Sequence, residues 1–338
     1  MKKAFTLIEL IFVIVITALI GVFGANLFVT LHDNYLRSKA INSLSYEIDN
    51  TFNVIEAKLS NKIYTTVISR HKKATSGSKI DYDNFKYLRD DEVTSDYFAL
   101  EWINKSIESK NVGDKKPGWS GIMDIKAPYT KPTQDDGGGG TFISPASKLT
   151  LARDVMESLY KGSSKTAALI FAFNKNETGT HNEFGFNNKN ESVQVAVVDL
   201  EDAKTKDEVF SVKKYELGKN YGVLYDLAHT AYTIFPTEVK NASDSSVVDY
   251  FDLILYYNYQ PWNNMHFKDG KSSLLAEYVT QFRYKYLGKV GEATESQALI
   301  MKICMIDGGR TMGTTSDITT QRAKNLANVE ICKTRVVY

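Results

Sequence analysis

Between Leu10 and Val29 the chain runs LIFVIVITALIGVFGANLFV, in which Asn26 is the only strongly polar side chain. At 1.5 Å per residue, such a run forms a helix about 30 Å long, the thickness of a bilayer's hydrocarbon core. A segment of this kind belongs either in lipid or to a cleaved secretion signal. Lys2 and Lys3 precede it, and the positive-inside rule places them in the cytoplasm. The bulk of the chain is then expected on the other side, in a periplasm-like or extracellular space. Glu9 sits at the edge of the apolar run. A carboxylate there is costly to place in a membrane and by default points to a function.

Three readings compete for this segment. A signal peptide has an apolar run of roughly 7–15 residues and then a small-residue cleavage site. The run here is longer, although Gly24 and Ala25 imitate such a site. A plain signal anchor fits the length but leaves Glu9 with no cation inside the segment. The third reading rests on residues 2–10, KKAFTLIEL. This stretch resembles the class III leader of type IV pilins and type II secretion pseudopilins. The resemblance covers about residues 2–30. It implies cleavage by a prepilin peptidase between Ala4 and Phe5, with N-methylation of the new terminus at Phe5. It also implies that Glu9 serves assembly by pairing with the terminal amine of a neighbouring subunit. The chain departs from the family pattern at Ala4, where Gly is usual, and in having no Pro before Pro117.

Helical periodicity continues beyond the apolar run. Ile41, Leu44, Ile48, Phe52, Ile55, Leu59, Ile63 and Val67 step by three or four, one apolar stripe on a helix. With no Gly between Gly24 and Gly77, the spacing predicts one helix from about Phe5 to about His71, roughly 100 Å long. The expected organisation is a leader (1–4), a transmembrane half-helix (5–30), a periplasmic half-helix (31–72) and a globular head (73–338). Within the head, 73–165 reads as an irregular and helical insertion. Val93, Phe98, Leu100, Trp102, Ile103 and Ile107 suggest a helix over 91–110, and another is expected near Ser147 to Tyr160. GDKKPGWSG and the run Asp135 to Gly140 read as loops. Residues 166–338 are β-rich, with eight β-branched and aromatic runs from TAALIFAF to VEICKTRVVY separated by polar turns. Helices first and strands later predict an α+β fold, a long N-terminal helix packed on a mainly antiparallel β-sheet head.

Lys and Arg number 41 against 40 Asp and Glu, a net charge of +1, so no basic excess points to nucleic acid. Cys304 and Cys332 are the two cysteines. An oxidising compartment permits a disulfide between them, and two buried free thiols are the alternative. The aromatic and amide stretch YYNYQPWNNMHF offers Tyr257, Tyr259 and Trp262 as a candidate ligand surface. A strand end with its aromatics in the core is the plainer reading of the same stretch. YKGSSKT lacks the glycine spacing of a phosphate loop, and Asp81, Asp83 and Asp90-Asp91 lack the glycine and closing glutamate of a calcium loop. No metal site, cofactor or nucleophile with an adjacent base is indicated, so enzymatic activity is not expected. The resemblance implies a structural subunit, a minor pilin or minor pseudopilin. Its expected partners are other pilin-like subunits, the prepilin peptidase and an inner-membrane assembly platform. The expected location is the inner membrane, single-pass with the head periplasmic, and then a pilus or pseudopilus. A pilus-borne adhesin or DNA-binding module, and a membrane-anchored protein that never assembles, are the alternatives.

Overall fold

The computed structural model describes residues 6–71, 73–74, 80–81, 85–88, 97–112, 115–124, 140–160, 166–171, 186, 195–199, 207–214, 223–240, 248–287, 298–310 and 325–338. It contains one long apolar N-terminal helix and a large antiparallel sheet, an α+β arrangement.

Helix α1 (Leu7–Leu59) has 53 residues, about 80 Å of unbroken helix. It stops short of the expected end near His71. Ile63 and Val67 lie outside it, and a 3-10 turn (Tyr64–Thr66) leads into β1 (Ile68–His71). The run Ile63-Tyr64-Thr65-Thr66-Val67-Ile68 is β-branched and aromatic, and its stiff χ1 angles favour extended backbone. The end is also fixed from outside the helix. Asn104 Nδ2 donates to Lys58 O at 2.9 Å, and the Ile63 amide donates to Ile103 O at 2.9 Å. The first satisfies a carbonyl that a helix end leaves open, and the second draws the chain beyond the helix onto β5.

The other elements are β2 (Lys73–Ala74), β3 (Ile80–Asp81), β4 (Phe85–Tyr87), β5 (Tyr97–Lys105), α2 (Ile107–Lys110), β6 (Gly140–Ile143) and α3 (Leu149–Leu159). They are followed by β7 (Thr166–Phe171), β8 (Val195–Asp199), β9 (Val209–Lys214), β10 (Tyr225–Pro236), β11 (Phe251–Tyr259), β12 (Lys271–Tyr286), β13 (Leu299–Ile306) and β14 (Glu330–Val337). The eight sequence-predicted strands after Thr166 and the helix near 147–160 are all present. The helix expected over 91–110 is corrected. Residues 97–105 form β5, only Ile107–Lys110 is helical, and Val93 lies outside the described residues. Segment 73–165 therefore contributes a strand to the sheet centre, not merely an insertion.

Twelve strands form one sheet. Strand β10 is its axis. One edge pairs with β5 over Ala228 to Ile234. The other edge is shared by β7 near Ala228 and β11 from Ala231 onward. The sheet thus forks. One arm runs β10-β11-β12-β13-β14 and continues through β5 to β1 and β4, and the other runs β7-β8-β9-β6.

Alternation along the strands builds two faces. Leu100, Trp102, Ile234, Leu255, Met301 and Ile303 face α1 and bury its Leu44, Ile48, Phe52, Ile55 and Leu59. These five helix side chains are at most 1% exposed. Each contributes roughly 1.5–3 kcal/mol of apolar burial as an upper bound, so tertiary packing holds this half of the helix. The opposite face buries Ile68, Ala99, Ile103, Ala231, Phe235 and Phe267. The second arm has its own core of Trp119, Phe142, Met156, Phe210 and Leu227. Gly118 lets the loop before Trp119 press against α2, since a Cβ at that position would lie 1.9 Å from Ser109 O. Trp119 Nε1 donates to Ser106 O at 3.1 Å.

Candidate functional site

The N-terminal half of α1 is the part of the helix that the head leaves bare. Its large apolar residues from Leu7 to Leu31 are all about half exposed or more. The segment is long and apolar enough to cross a membrane. Thr17 and Thr30 hide their hydroxyls by donating to Val13 O at 2.7 Å and Asn26 O at 2.9 Å. Gly21 and Gly24 have open space around them.

Glu9 finds a partner within the chain. Thr6 is the N-cap of α1. Its amide and hydroxyl both donate to Glu9 Oε2 at 3.1 Å, and the Glu9 amide donates to Thr6 Oγ1 at 3.4 Å. This reciprocal capping box satisfies donors that the first turn leaves open. The Thr-x-x-Glu spacing before an apolar run is its sequence signature, and a search of the segment for a cation passes over it. Ala4 and Phe5 lie outside the described residues.

The packed half of α1 is clamped at its edge by three cations. Arg310 Nη1 donates to both Glu47 carboxylate oxygens, at 3.1 and 3.0 Å. Lys333 Nζ reaches Asp49 Oδ2 at 2.6 Å and Ser45 O at 3.1 Å. Arg335 donates to Asn53 Oδ1 at 2.7 Å and lies 3.5 Å from Glu56, with its guanidinium over the Phe52 ring. Lys333 and Arg335 alternate along β14, so both point to the helix. The alternating Lys-x-Arg was visible in VEICKTRVVY, but its acidic partners lie some 280 residues away.

Cys304 and Cys332 sit directly opposite each other on β13 and β14 and are bonded. The bond closes a 28-residue separation. It stabilises by about 3.5 kcal/mol on chain-entropy grounds. Glu330 is beside them, yet both sulfurs are committed to the bridge.

The three aromatics predicted as a ligand surface do not form one surface. Parity places Tyr257 and Tyr259 on one side of β11, but a bulge intervenes: Tyr232 opposes Tyr257 and Ala231 opposes Tyr259. Asn258 takes up the extra residue at φ 62°, a left-handed conformation that Asn tolerates. Its amide donates to Thr230 Oγ1 at 2.9 Å. Tyr257 therefore stacks on Tyr232 beside the α1 face, whereas Tyr259 and Trp262 join the opposite core. Tyr259 is fully buried and is no part of a surface.

Tyr259 instead belongs to a buried polar network. Its hydroxyl donates to Glu101 Oε1 at 2.7 Å and shares a 2.5 Å bond with Thr233. Glu101 in turn pairs with Arg70, whose guanidinium lies over the Phe85 and Phe267 rings. Burial, with the Glu101 charge second, holds the Tyr259 hydroxyl well above its usual pKa. At the fork, His229 is buried against the Tyr160 ring, and desolvation lowers its pKa to about 4. In the second arm, Ser144 bonds to Tyr225 at 2.5 Å, to Ser147 at 2.7 Å and to Ser120 at 3.0 Å. These hydroxyls saturate one another and tie the 120 loop to β10.

The described residues thus concentrate functional character along α1: a bare apolar half with a capped acidic start, and a half locked to the head. Searches against protein families, curated proteins and solved structures return no match for this chain.

Proposed function

We propose that this chain is a pilin-like structural subunit, a minor pilin or minor pseudopilin. In this reading it is cut between Ala4 and Phe5 by a prepilin peptidase and methylated at Phe5. It is held in the inner membrane by α1 with its head outside, and it assembles with like subunits through the bare part of that helix. The observation that carries the reading is the single unbroken helix Leu7–Leu59, uncovered along its apolar beginning and packed on the sheet along its end. The stretch KKAFTLIEL supports it. Assembly here asks Glu9 to exchange its Thr6 donors for the amine of a neighbouring subunit. An ammonium brings the carboxylate a full opposite charge where Thr6 offers two neutral donors, so the ion pair is what favours that exchange.

The capping box favours a second reading, a membrane-anchored protein that does not assemble, in which Glu9 only starts the helix. Two measurements separate them. The N-terminal mass of protein isolated from membranes begins at methylated Phe5 under the first reading and at Met1 under the second. Glu9→Ala removes assembly and Thr6→Val preserves it under the first. Under the second, each substitution merely frays the helix by about 0.5–2 kcal/mol.

A further inference from the structure

Strand β14 lies at the edge of the sheet and carries the exposed end of the disulfide. Just before the strand, the Asp307 amide donates to Val329 O at 3.1 Å. The pairing then runs without a shift from Ile306 opposite Glu330 to Leu299 opposite Val337. Hydrogen-bonded pairs in an antiparallel ladder recur every second residue. Ile331, Lys333, Arg335 and Val337 therefore bond to β13, and the amides and carbonyls of Glu330, Cys332, Thr334 and Val336 point away from it. No described residue bonds to those outward groups. We infer that Cys332 is a thiol–disulfide exchange site: a dithiol protein lies along this edge as an added strand, opens the bond at Cys332, and so loosens the seat of α1.

Three observations meet at Cys332. The first is access. Cys332 is exposed, as are Glu330 and Thr334 on the same face, whereas Lys333 and Arg335 turn to α1 on the other. Exposed disulfides are the ones that exchange, in contrast to inert buried ones. The second is docking. The residue that presents the sulfur also presents an unpaired amide and carbonyl, the groups with which an extended backbone adds to a sheet edge. A dithiol protein that holds its target as a strand finds both at one residue. The third is charge. A carboxylate oxygen of Glu330 lies within 4.8 Å of both sulfurs, and Cys304 is buried. The neighbouring charge and the burial both penalise a thiolate at Cys304. A small free thiol, itself an anion when it attacks, exchanges slowly here, and docking along the edge supplies what it lacks. In the first step a thiolate of the partner attacks Sγ of Cys332. The S–S bond breaks, and Cys304 leaves with the electron pair and takes a proton from water. The partner's second thiol then loses its proton and displaces Cys332, so the chain ends with two thiols and the partner with a disulfide. What still holds β14 is its ladder to β13 and the contacts of Lys333 and Arg335 with Asp49 and Asn53.

The test uses the full chain in detergent micelles. Thioredoxin kept reduced by its reductase is compared with dithiothreitol at equal thiol concentration, and free cysteines are counted by mass after alkylation. Thioredoxin is expected to open the bond, and faster than dithiothreitol. A thioredoxin whose second thiol is replaced by serine should be trapped on Cys332, with Cys304 left free. Thr334→Pro removes one outward amide without touching the ladder to β13. It should slow thioredoxin roughly fivefold, the loss of one backbone hydrogen bond, and leave the dithiothreitol rate unchanged, which also reports that β14 is still seated. Val336→Pro, farther from the bond, is the second variant of this kind. Glu330→Gln should speed dithiothreitol by about fivefold, the effect of one charge at this distance in water-like surroundings. After reduction, hydrogen exchange should show residues 330–337 and 45–56 losing protection while β10 and β11 keep theirs. A bond that thioredoxin opens no faster than dithiothreitol, or equally fast in wild type and both proline variants, overturns docking on the edge. A trap on Cys304 overturns the exchange site, and no gain in Glu330→Gln overturns the part given to charge. Unchanged protection of β14 and α1 after reduction overturns the link to the helix.

Discussion

At the scale of single residues, the buried polar groups set the head's sensitivities. Glu101 is wholly buried and depends on Arg70 and Tyr259 for its stabilisation. Removing one member of such a pair leaves an uncompensated charge. Arg70→Leu should cost about 3–5 kcal/mol, read as a lowered urea midpoint, and a double substitution of Arg70 and Glu101 by apolar residues should recover much of it. A double variant no more stable than Arg70→Leu would refute this account. His229 titrates in the other sense. Its folded pKa, near 4, lies below the unfolded value of about 6.5, so between these values the unfolded chain binds more protons. The stability it contributes is full above pH 6.5 and is lost as pH falls toward 4, by roughly 3 kcal/mol at most. The stability gap between wild type and His229→Gln should narrow over that window in paired denaturation curves. At Asn258 the positive φ explains the side chain: Asn258→Val should cost about 1–2 kcal/mol and Asn258→Gly far less.

At the scale of elements, the bridge between β13 and β14 and the cations on β14 act on the same object, the seat of α1. Replacing Cys304 and Cys332 by Ala should lower stability by about 3.5 kcal/mol and speed proteolysis of β14 in the otherwise intact head. Unchanged protection would mean that Lys333 and Arg335 hold the strand alone. Much at this scale was legible in the sequence. The strands after Thr166 declared themselves through β-branched and aromatic runs, and the apolar step of Ile41 to Leu59 gave the buried face of α1. What was not legible depended on partners far along the chain. The end of α1 is set by β5 groups that bond Lys58 and Ile63, and no Gly or Pro marks it. Residues 97–105 are apolar on both faces because β5 is covered on both sides, so their pattern imitates a helix. The aromatics of β11 misled for a local reason: one bulge at Asn258 reverses the parity that assigns faces. For the candidate site, the apolar run and Glu9 could be read directly, and the Thr6 cap was present in the same four letters. The clamp needed the fold, since it joins α1 to residues beyond 300.

At the scale of the whole molecule, β10 ties the two arms together. Its beginning lies in the core around Trp119 and its end in the core around Trp102. A continuous strand shared by two cores leaves no seam at which one could melt alone. Two variants, each keeping only Trp102 or only Trp119, should therefore report coincident urea transitions; separate midpoints would show that the fork is a boundary. The clamp between α1 and β14 has a further consequence, for the making of the protein. The stripe of Leu44, Ile48 and Phe52 leaves the ribosome about 280 residues before the strand that closes over its edge. At roughly 5–20 residues per second, that stripe waits on the order of 15–55 s without its cover. The arrival of Lys333 and Arg335 ends that wait, so the last strand made is the one that completes the seat of the first helix.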